Sequence, residues 1–355
     1  MIGIVKLGLL GVIVGVLATG CAQKVRIKAL NPAEVGAMAS KKKVAVSKFK
    51  NDRVGLSGKI EAQIAKQKLD KKRYFTVLSR KDMNKVMAEQ KLQSSELMDE
   101  ATTAKVGKLI GAQAIINGEV TSANAESDSY MEDREKCLKY SKTGCVKYRY
   151  YKVKCNTTQA DVSANIAIIN VENAAVIYGD TINKTYSADS CKMSSDSVLG
   201  VGLSLLGVNT TPKQILSKSQ ALSKLAGDIA SEFVYKLTPN YIYFNVVLLD
   251  KIEIDATSEQ EKKFESALAY IKAARYDKAK KILEDLMNQL DGKSYVVAYV
   301  YGVVDEATGN FEKAKELYTI ADDLALEPVG EINLAMTRID ALIEKRDEAK
   351  KQMNE

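Results

Sequence analysis

Four cysteines lie within one short stretch of the chain, where their thiols could either pair or bind a metal. Cys137, Cys145, Cys155 and Cys191 fall within 55 residues. An even number of thiols in an exported protein predicts disulfides, and four thiols can pair in three ways. A zinc site is the alternative. It is disfavoured because these cysteines show no C-x-x-C spacing and the chain contains no histidine.

Symmetry about predicted turns favours one of the three pairings. Cys155 and Cys191 are equidistant from residue 173, in a segment typical of a hairpin turn. Partners in antiparallel strands are related by such a reflection about the turn. Cys137 and Cys145 similarly flank a second predicted turn at residues 141–144. We therefore expect the disulfides Cys155–Cys191 and Cys137–Cys145.

No arrangement of residues in the sequence predicts catalysis. Without histidine there is no Ser-His-Asp triad, and neither a G-x-S-x-G elbow nor a phosphate-binding loop with P-loop spacing is present. Gly200, Gly202 and Gly207 resemble a dinucleotide fingerprint, but no predicted strand precedes them and no acidic residue follows about 20 positions later. We expect a protein that is not an enzyme, with no catalytic residue, no metal and no dissociable cofactor.

The fifth cysteine, Cys21, follows a segment with the features of an export signal. Residues 1–20 contain Lys6, an apolar run over Leu7–Leu17 and three small residues directly before the cysteine. That order is typical of a secretory signal peptide. The run is shorter than the roughly 20 apolar residues that a transmembrane helix needs.

The segment resembles the signals of bacterial lipoproteins. The resemblance implies a diacylglycerol on the Cys21 thiol and a fatty acid such as palmitate on its new amino group. This covalent lipid would be the only non-protein group. Ala22, in place of aspartate, implies sorting to the outer membrane, with the folded chain on the periplasmic side.

Composition limits the size and the partners of the folded part. A mature chain of about 335 residues is long enough for two domains. The 52 cationic and 45 acidic residues give a formal net charge of +7, which we take to be spread along the sequence. Lysines at helical spacing among acids do not predict nucleic-acid binding. The excess charge predicts mild attraction to anionic surfaces.

Between residues 43 and 120, short apolar runs alternate with helical periodicity. The predicted elements in order are the strand Val44–Phe49, a helix around Ile60 and Ile64, the strand Phe75–Leu78, a helix from Arg80, the helix Ala101–Ile110 and the strand Ala114–Val120. Strands separated by single helices predict an α/β sandwich.

The pattern changes after Val120. Residues 126–156 are charged, rich in tyrosine and hold three of the cysteines. A hairpin is predicted next, with strands at Ala160–Val171 and Ala175–Tyr186. An apolar, glycine-spaced segment follows, Val198–Val208. A long helix is predicted over Lys213–Leu237. It ends there because Pro239 disfavours helical geometry in the residue before it.

The last hundred residues are helical in pattern and contain a repeat. Arg275–Lys280 and Asn310–Lys315 resemble each other at an offset of 35 residues, close to the period of tetratricopeptide repeats. Matched positions include Ala267 with Gly302. A generic helical bundle is the alternative. Four tyrosines are candidate anchors for a partner or, alternatively, pack between the helices: Tyr295, Tyr299, Tyr301 and Tyr318.

Residues 43–239 resemble the CsgG-like lipoproteins of curli secretion. The resemblance rests on strand Val44–Val46 with its following loop, on the stretch from Phe75 to Leu92, on Ala112–Val120 and on the hairpin strand Ile166–Val171. It implies an anticodon-binding-domain-like α/β sandwich, lipid attachment to the outer membrane and a homo-oligomeric ring. The channel itself also carries membrane-crossing hairpins. This sequence departs from that pattern, because charges at Glu132–Lys136 would be costly in lipid.

We therefore predict four regions and three functions. The regions are a signal peptide (1–20), a lipidated tether (21–42), an α/β domain with a cysteine-stapled insertion (43–245; insertion 126–156 and residue 191) and a tetratricopeptide-like helical domain (246–355). The leading function is a non-enzymatic scaffold or assembly component of a surface-appendage or envelope machine, with protein partners bound through the helical repeats. An oligomeric secretion channel and an activator of peptidoglycan synthesis are the alternatives.

Overall fold

The computed structural model describes residues 23–90, 99–192 and 214–354. Its strands are β1 (Lys24–Asn31), β2 (Lys43–Val46), β3 (Lys68–Leu69), β4 (Lys72–Arg73), β5 (Thr76–Val77), β6 (Ala114–Ser141), β7 (Gly144–Asn170), β8 (Val176–Asp189) and β9 (Asn240–Val247). Its helices are α1 (Leu56–Lys66), α2 (Arg80–Glu89), α3 (Glu100–Ile110), α4 (Lys218–Tyr235), α5 (Ser258–Lys272), α6 (Tyr276–Gln289), α7 (Tyr295–Ala307), α8 (Phe311–Leu324) and α9 (Gly330–Asn354). The predicted mixed fold, a sheet region followed by a helical array, is confirmed. Among the described helices, none is both long and apolar enough to cross a bilayer.

The chain forms two compact units whose bounds differ from the predicted domains. One unit joins residues 31–240 to residues 347–355, and the other joins the residues before 31 to residues 241–346. The segment predicted as a tether, 21–42, contains β1 and a 3₁₀ turn at Gly36–Met38. The predicted signal peptide, Cys21 and the segment Val198–Val208 lie outside the described residues.

The first unit is built on a five-stranded sheet in the order β5-β2-β6-β7-β8. Strand β2 runs parallel to both β5 and β6, whereas β6, β7 and β8 are antiparallel neighbours. Helices α1 and α4 pack on one face through the main core, and α2 and α3 pack on the other through a smaller core. The two faces follow from the alternation in β2, where Val44 and Val46 face one core and Ala45 faces the other.

Local polar contacts fix where the helices of this unit begin. Both carboxylate oxygens of Asp52 accept backbone N–H groups at the start of α1, from Leu56 at 2.7 Å and Ser57 at 2.9 Å. Such acceptors satisfy donors that have no partner within the helix. Arg80, at the start of α2, forms an ion pair with Glu61 of α1 at 2.7 Å. The loop after β2, which contains Asp52, and Arg80 were both noted in the sequence, and they set the positions of α1 and α2.

The second unit contains the repeated helices and the pair of strands β1 and β9. Val25, Ile27 and Ala29 alternate with exposed residues along β1 and are buried in the core of the helical unit. A Cβ added to Gly302 of α7 would lie 2.6 Å from the ring of Tyr318 of α8. The equivalent pair 35 residues earlier is Ala267 and the smaller Leu283, both fully buried. Both repeats therefore bury the same two positions, occupied by alanine and leucine in one and by glycine and tyrosine in the other.

Candidate functional site

The most prominent surface feature is a ribbon of two strands that extends beyond the sheet. Strand β7 pairs with β8 only as far as Thr157, opposite Asp189. Its pairing with β6 continues to Ser141 opposite Gly144. Residues 129–156 therefore form a two-stranded ribbon, about 40 Å long at roughly 3.3 Å per residue. Sequence analysis placed a charged insertion here and did not foresee that it continues the sheet strands.

A disulfide holds the base of the ribbon. Cys155 of β7 is bonded to Cys191, which follows β8, with a Cα–Cα distance of 5.5 Å. Cys155 is fully buried. Next to it, the backbone N–H of Asn156 donates to the Ser190 hydroxyl at 2.7 Å. The chain after β8 is thus fixed to the ribbon where the third strand ends.

Polar side chains add to this attachment. The Tyr130 hydroxyl donates to Asp189 at 2.9 Å. This hydrogen bond raises the pKa of Tyr130. Burial would raise the pKa of Asp189, but hydrogen bonds from the Cys191 backbone and from Tyr130 outweigh it and lower that pKa. Because the sequence offers no spacing signal for a contact between residues 130 and 189, sequence analysis missed it.

A second disulfide lies near the end of the ribbon. Cys137 and Cys145 are bonded across the two strands with a Cα–Cα distance of 5.8 Å. Both pairings in the structure are those favoured by symmetry about the turns. Glu132 also lies close to Cys155 and Cys191, and these three could hold a metal by distance alone. Zinc prefers cysteine thiolates as ligands. Because the sulfurs of Cys155 and Cys191 are bonded to each other, these two ligands are already in use.

The outer end of the ribbon, residues 136–150, is here called the ribbon tip. Every residue of the tip is exposed except the two half-buried cysteines. Its large apolar and aromatic side chains are unusually exposed: Leu138 53%, Tyr140 73%, Val146 58%, Tyr148 43% and Tyr150 73%. The rings of Tyr148 and Tyr150 stack with centroids 6.4 Å apart. Five cations accompany them with no acidic residue between: Lys136, Lys139, Lys142, Lys147 and Arg149.

This concentration corrects the expectation that the positive charge is spread along the chain. Residues 136–154 hold seven cationic residues and no acidic one. The remainder of the chain then contains 45 cationic and 45 acidic residues. Five of these seven cations lie at the outer end of the ribbon, and Lys152 and Lys154 lie on β7 between that end and the base.

The sheet carries a second, polar surface on its face opposite α1 and α4. There the Thr181 hydroxyl donates to Asn165 at 2.8 Å and the Ser122 hydroxyl donates to Asp161 at 2.8 Å. A shallow depression of about 390 Å³ lies over Asn117, Asn165 and Thr181. Hydrogen-bonding side chains predominate on this surface, and Ile166, the large apolar residue among those lining the depression, is buried.

The helical unit buries most of the tyrosines predicted as partner anchors. Tyr299, Tyr301 and Tyr318 are 1%, 6% and 0% exposed, whereas Tyr295 is half-buried. The Tyr299 hydroxyl donates to the Val247 carbonyl at 2.7 Å, and burial raises the pKa of this side chain. The first three therefore pack between elements, as the alternative interpretation held, and are not accessible to a partner.

Tyr318 belongs to a buried polar cluster that sequence analysis did not identify. Its hydroxyl donates to Glu306, which is fully buried, and Arg338 of α9 binds the same carboxylate at 2.8 and 2.7 Å. Such a two-point contact between a guanidinium and a carboxylate is directional and strong. The cluster connects α7, α8 and α9 and is structural in character.

The sequence matches a family model described as "Curli production assembly/transport component CsgG" over residues 23–221. The chain belongs to the CsgG family. The matched residues include the whole five-stranded sheet and the ribbon. No curated protein matches the sequence.

Several solved structures resemble the CsgG-family chain weakly. They include lipoprotein GNA1162 of Neisseria meningitidis (11% identity, 46% of this chain and 93% of that one, TM-score 0.26). The C-terminal domain of LpoB from Salmonella enterica matches at 9% identity over 43% of this chain and 95% of that one, with a TM-score of 0.26. The PelC dodecamer of Paraburkholderia phytofirmans matches at 12% identity over 60% and 98%, with a TM-score of 0.24.

Proposed function

We propose that this CsgG-family protein is a lipoprotein anchored through Cys21 to the periplasmic side of the outer membrane. We further propose that it acts as a non-enzymatic scaffold or assembly component of an envelope or surface-appendage machine. The observation that carries the proposal is the exposed ribbon of a CsgG-family sheet, held by disulfides at its base and near its end. A stiff projection with both faces in solvent offers a surface for contact and encloses no substrate.

The disulfides also support an envelope location. Structural disulfides persist in oxidising compartments such as the periplasm and are rare where thiols are kept reduced. Four of the five cysteines are paired in two bonds. The fifth, Cys21, is the proposed acylation site. Fatty acids attached there would restrict the folded chain to the neighbourhood of a membrane.

Two surfaces are proposed for protein contacts. The polar face of the sheet around Asn165 and Thr181 would form a contact between identical subunits, because its hydrogen-bonding side chains suit a wet protein interface. The helical array would bind protein partners. With three tyrosines buried, its exposed apolar candidates are Ile320, Leu326 and Leu334, since large apolar side chains in solvent are typical of binding surfaces.

Electron microscopy of the detergent-extracted full chain tests the scaffold proposal. A ring without a membrane-embedded collar is the expected result. A ring with a collar, together with single-channel conductance in planar bilayers, would instead identify the oligomeric secretion channel that the family description suggests. A monomer without either would overturn the scaffold and favour an activator of peptidoglycan synthesis.

The anchor is tested separately by labelling with radioactive palmitate. The full chain should incorporate label and fractionate with the outer membrane, whereas a Cys21→Ser chain should incorporate no label. Incorporation that persists in the Cys21→Ser chain would contradict the proposed site. The paired control, Cys137→Ser with Cys145→Ser, should label as strongly as the unaltered chain, because these thiols are bonded to each other.

A further inference from the structure

The ribbon tip combines two properties that seldom occur together on a protein surface. It carries five cations without an intervening acidic residue, and five of its large apolar or aromatic side chains are exposed. Solvated loops explain clustered lysines but not exposed leucine, valine and tyrosine. Ordinary protein interfaces explain the aromatic residues but are depleted in lysine.

The arrangement of these side chains indicates how a ligand would approach. Successive residues of a strand point to opposite faces. Tyr148 and Tyr150 therefore lie on one face of the ribbon, and Lys147 and Arg149 lie on the other. Leu138, Tyr140 and Val146 lie closest to the turn that joins the strands. A rigid protein would cover one face only, whereas a fluid headgroup layer can surround the whole end.

We propose that the ribbon tip docks end-on into the headgroup layer of an anionic lipid bilayer, as a second membrane contact separate from the acylated Cys21. Tyrosine is enriched at membrane interfaces, where its ring lies among the headgroups. Lysine and arginine stems pack along apolar surface while their charges remain with the phosphates. The tip stays at headgroup depth because cations further inside the bilayer are strongly disfavoured.

The disulfide Cys137–Cys145 and the base disulfide suit this role. An isolated two-stranded hairpin is only marginally stable in water. The disulfides keep the strands paired, so the tip reaches the bilayer already ordered. Docking then requires little loss of conformational freedom, which favours binding.

Co-sedimentation with lipid vesicles tests the proposal independently of acylation. The chain from residue 21 onward with Cys21→Ser retains every described residue but has no site for a lipid. We expect it to bind vesicles that contain phosphatidylglycerol and not vesicles of phosphatidylcholine alone. Raising the salt concentration to about 1 M should weaken the binding, because counterions screen surface charges.

A charge variant and a matched control identify the surface. The triple variant K139Q/K142Q/K147Q removes three tip lysines, and K81Q/K85Q/K281Q removes three exposed lysines elsewhere. Because each lysine near an anionic membrane contributes roughly fivefold to partitioning, the tip variant should bind on the order of a hundredfold more weakly. The control should bind within twofold of the unaltered chain. Equal losses in both variants would mean that only overall charge matters and would overturn the proposal.

A single tryptophan reports contact of the tip with lipid. The chain contains no tryptophan, so Tyr140→Trp places one reporter at the tip and Tyr235→Trp places one on α4. With anionic vesicles, only the tip reporter should shift its emission to the blue and be quenched by lipids brominated near the headgroup. An unshifted tip reporter, combined with tight binding to soluble polyglutamate, would show that the tip recognises an acidic polymer and would reject the membrane contact. Counting free thiols confirms that every variant keeps both disulfides.

Discussion

At the scale of single residues, the buried carboxylate of Glu306 has the strictest requirement for polar partners, because its charge is removed from water. It is fully buried and is bound by both Arg338 and the Tyr318 hydroxyl. Removing one partner of a buried ion pair leaves an uncompensated charge, which costs about 3 to 5 kcal/mol. We expect Arg338→Met to lower the free energy of unfolding of the helical unit by that amount in urea titrations.

The control for this prediction is an exposed ion pair of the same unit. Lys313 and Glu316 lie 3.1 Å apart with both side chains largely in solvent. Lys313→Met should change the stability by no more than about 1 kcal/mol. If Arg338→Met is as mild as Lys313→Met, the cluster does not hold the three helices together.

A second residue-scale prediction concerns the contact between α4 and β8. Lys236 lies 2.7 Å from Asp180 and donates to the Tyr178 hydroxyl at 3.2 Å. The hydrogen bond that Lys236 donates to Asp180 raises the pKa of Lys236. Burial would raise the pKa of Asp180, but the bonds from Lys236 and Tyr178 lower it. A carboxyl group whose pKa is lowered on folding stabilises the protein at pH values above its ordinary pKa of about 4. This stabilisation is lost as the pH falls through the lowered pKa.

Asp180→Asn should therefore reduce the stability at neutral pH and flatten its decline below about pH 4. Thermal unfolding between pH 2 and pH 7 measures both effects. The exposed pair of Lys224 and Asp228 on the same helix provides the control. An equal flattening of the acid decline in Asp180→Asn and Asp228→Asn would contradict the assigned role of Asp180.

At the scale of elements, the two disulfides contribute differently to the stability of the sheet unit. The bond between Cys155 and Cys191 closes 36 residues and includes a fully buried sulfur, whereas the bond between Cys137 and Cys145 closes only 8. Loop-closure entropy predicts losses of roughly 4 and 2.5 kcal/mol on removal. The smaller loop is also at the ribbon end, away from the core.

We expect Cys155→Ser with Cys191→Ser to lower the melting temperature of the sheet unit clearly. Cys137→Ser with Cys145→Ser should lower that temperature less, because the loop it opens is shorter, and should increase hydrogen exchange mainly in residues 136–150. Differential scanning calorimetry and hydrogen exchange distinguish these outcomes. A large drop in melting temperature for the second variant would mean that the ribbon end supports the core.

Comparison of the elements shows which of them could be predicted from patterns in the sequence. Helices α1 to α3 were predicted because one face of each is buried, so apolar residues repeat with the helical period. Strand β2 was predicted because both of its faces are buried, which produces a short continuous apolar run. The outer parts of β6 and β7 were missed because both of their faces are in solvent, and charged and aromatic residues then alternate without a buried side. Gly302 and Tyr318 matched the repeat in position, but only the structure shows that the glycine makes room for the ring.

The candidate site was predictable only in part, for the same reason. The cysteine pairing follows from chain symmetry about two turns, a purely local signal. The contact between Tyr130 and Asp189 joins residues 59 positions apart, and the Glu306 cluster joins three helices. Burial of Tyr299 and Tyr318 depends on this three-dimensional packing, because an aromatic residue on a helix has the same sequence pattern in a core and in a groove.

At the scale of the whole molecule, each compact unit is assembled from segments distant in sequence. The first strand, β1, belongs to the helical unit, although more than 200 residues separate it from the remainder of that unit. The final turns of α9 belong to the sheet unit, where the Gln352 side chain accepts the Ala33 backbone N–H at 2.7 Å. Residues 21–42 were predicted to be a tether, yet β1 shows the alternation of a half-buried strand.

This arrangement predicts that the residues closest to the proposed anchor at Cys21 stabilise the most distant part of the chain. Ile27 of β1 is fully buried in the core of the helical unit. Truncation of such a side chain costs about 2 to 5 kcal/mol. Ile27→Ala should therefore weaken the protection of α5 and α7 in hydrogen exchange. Lys24→Ala, on the exposed face of the same strand, should change the stability by less than about 0.5 kcal/mol. If both variants match the unaltered chain, residues 24–31 act as a tether after all, and the proposed acylation site at Cys21 is mechanically independent of the helical array.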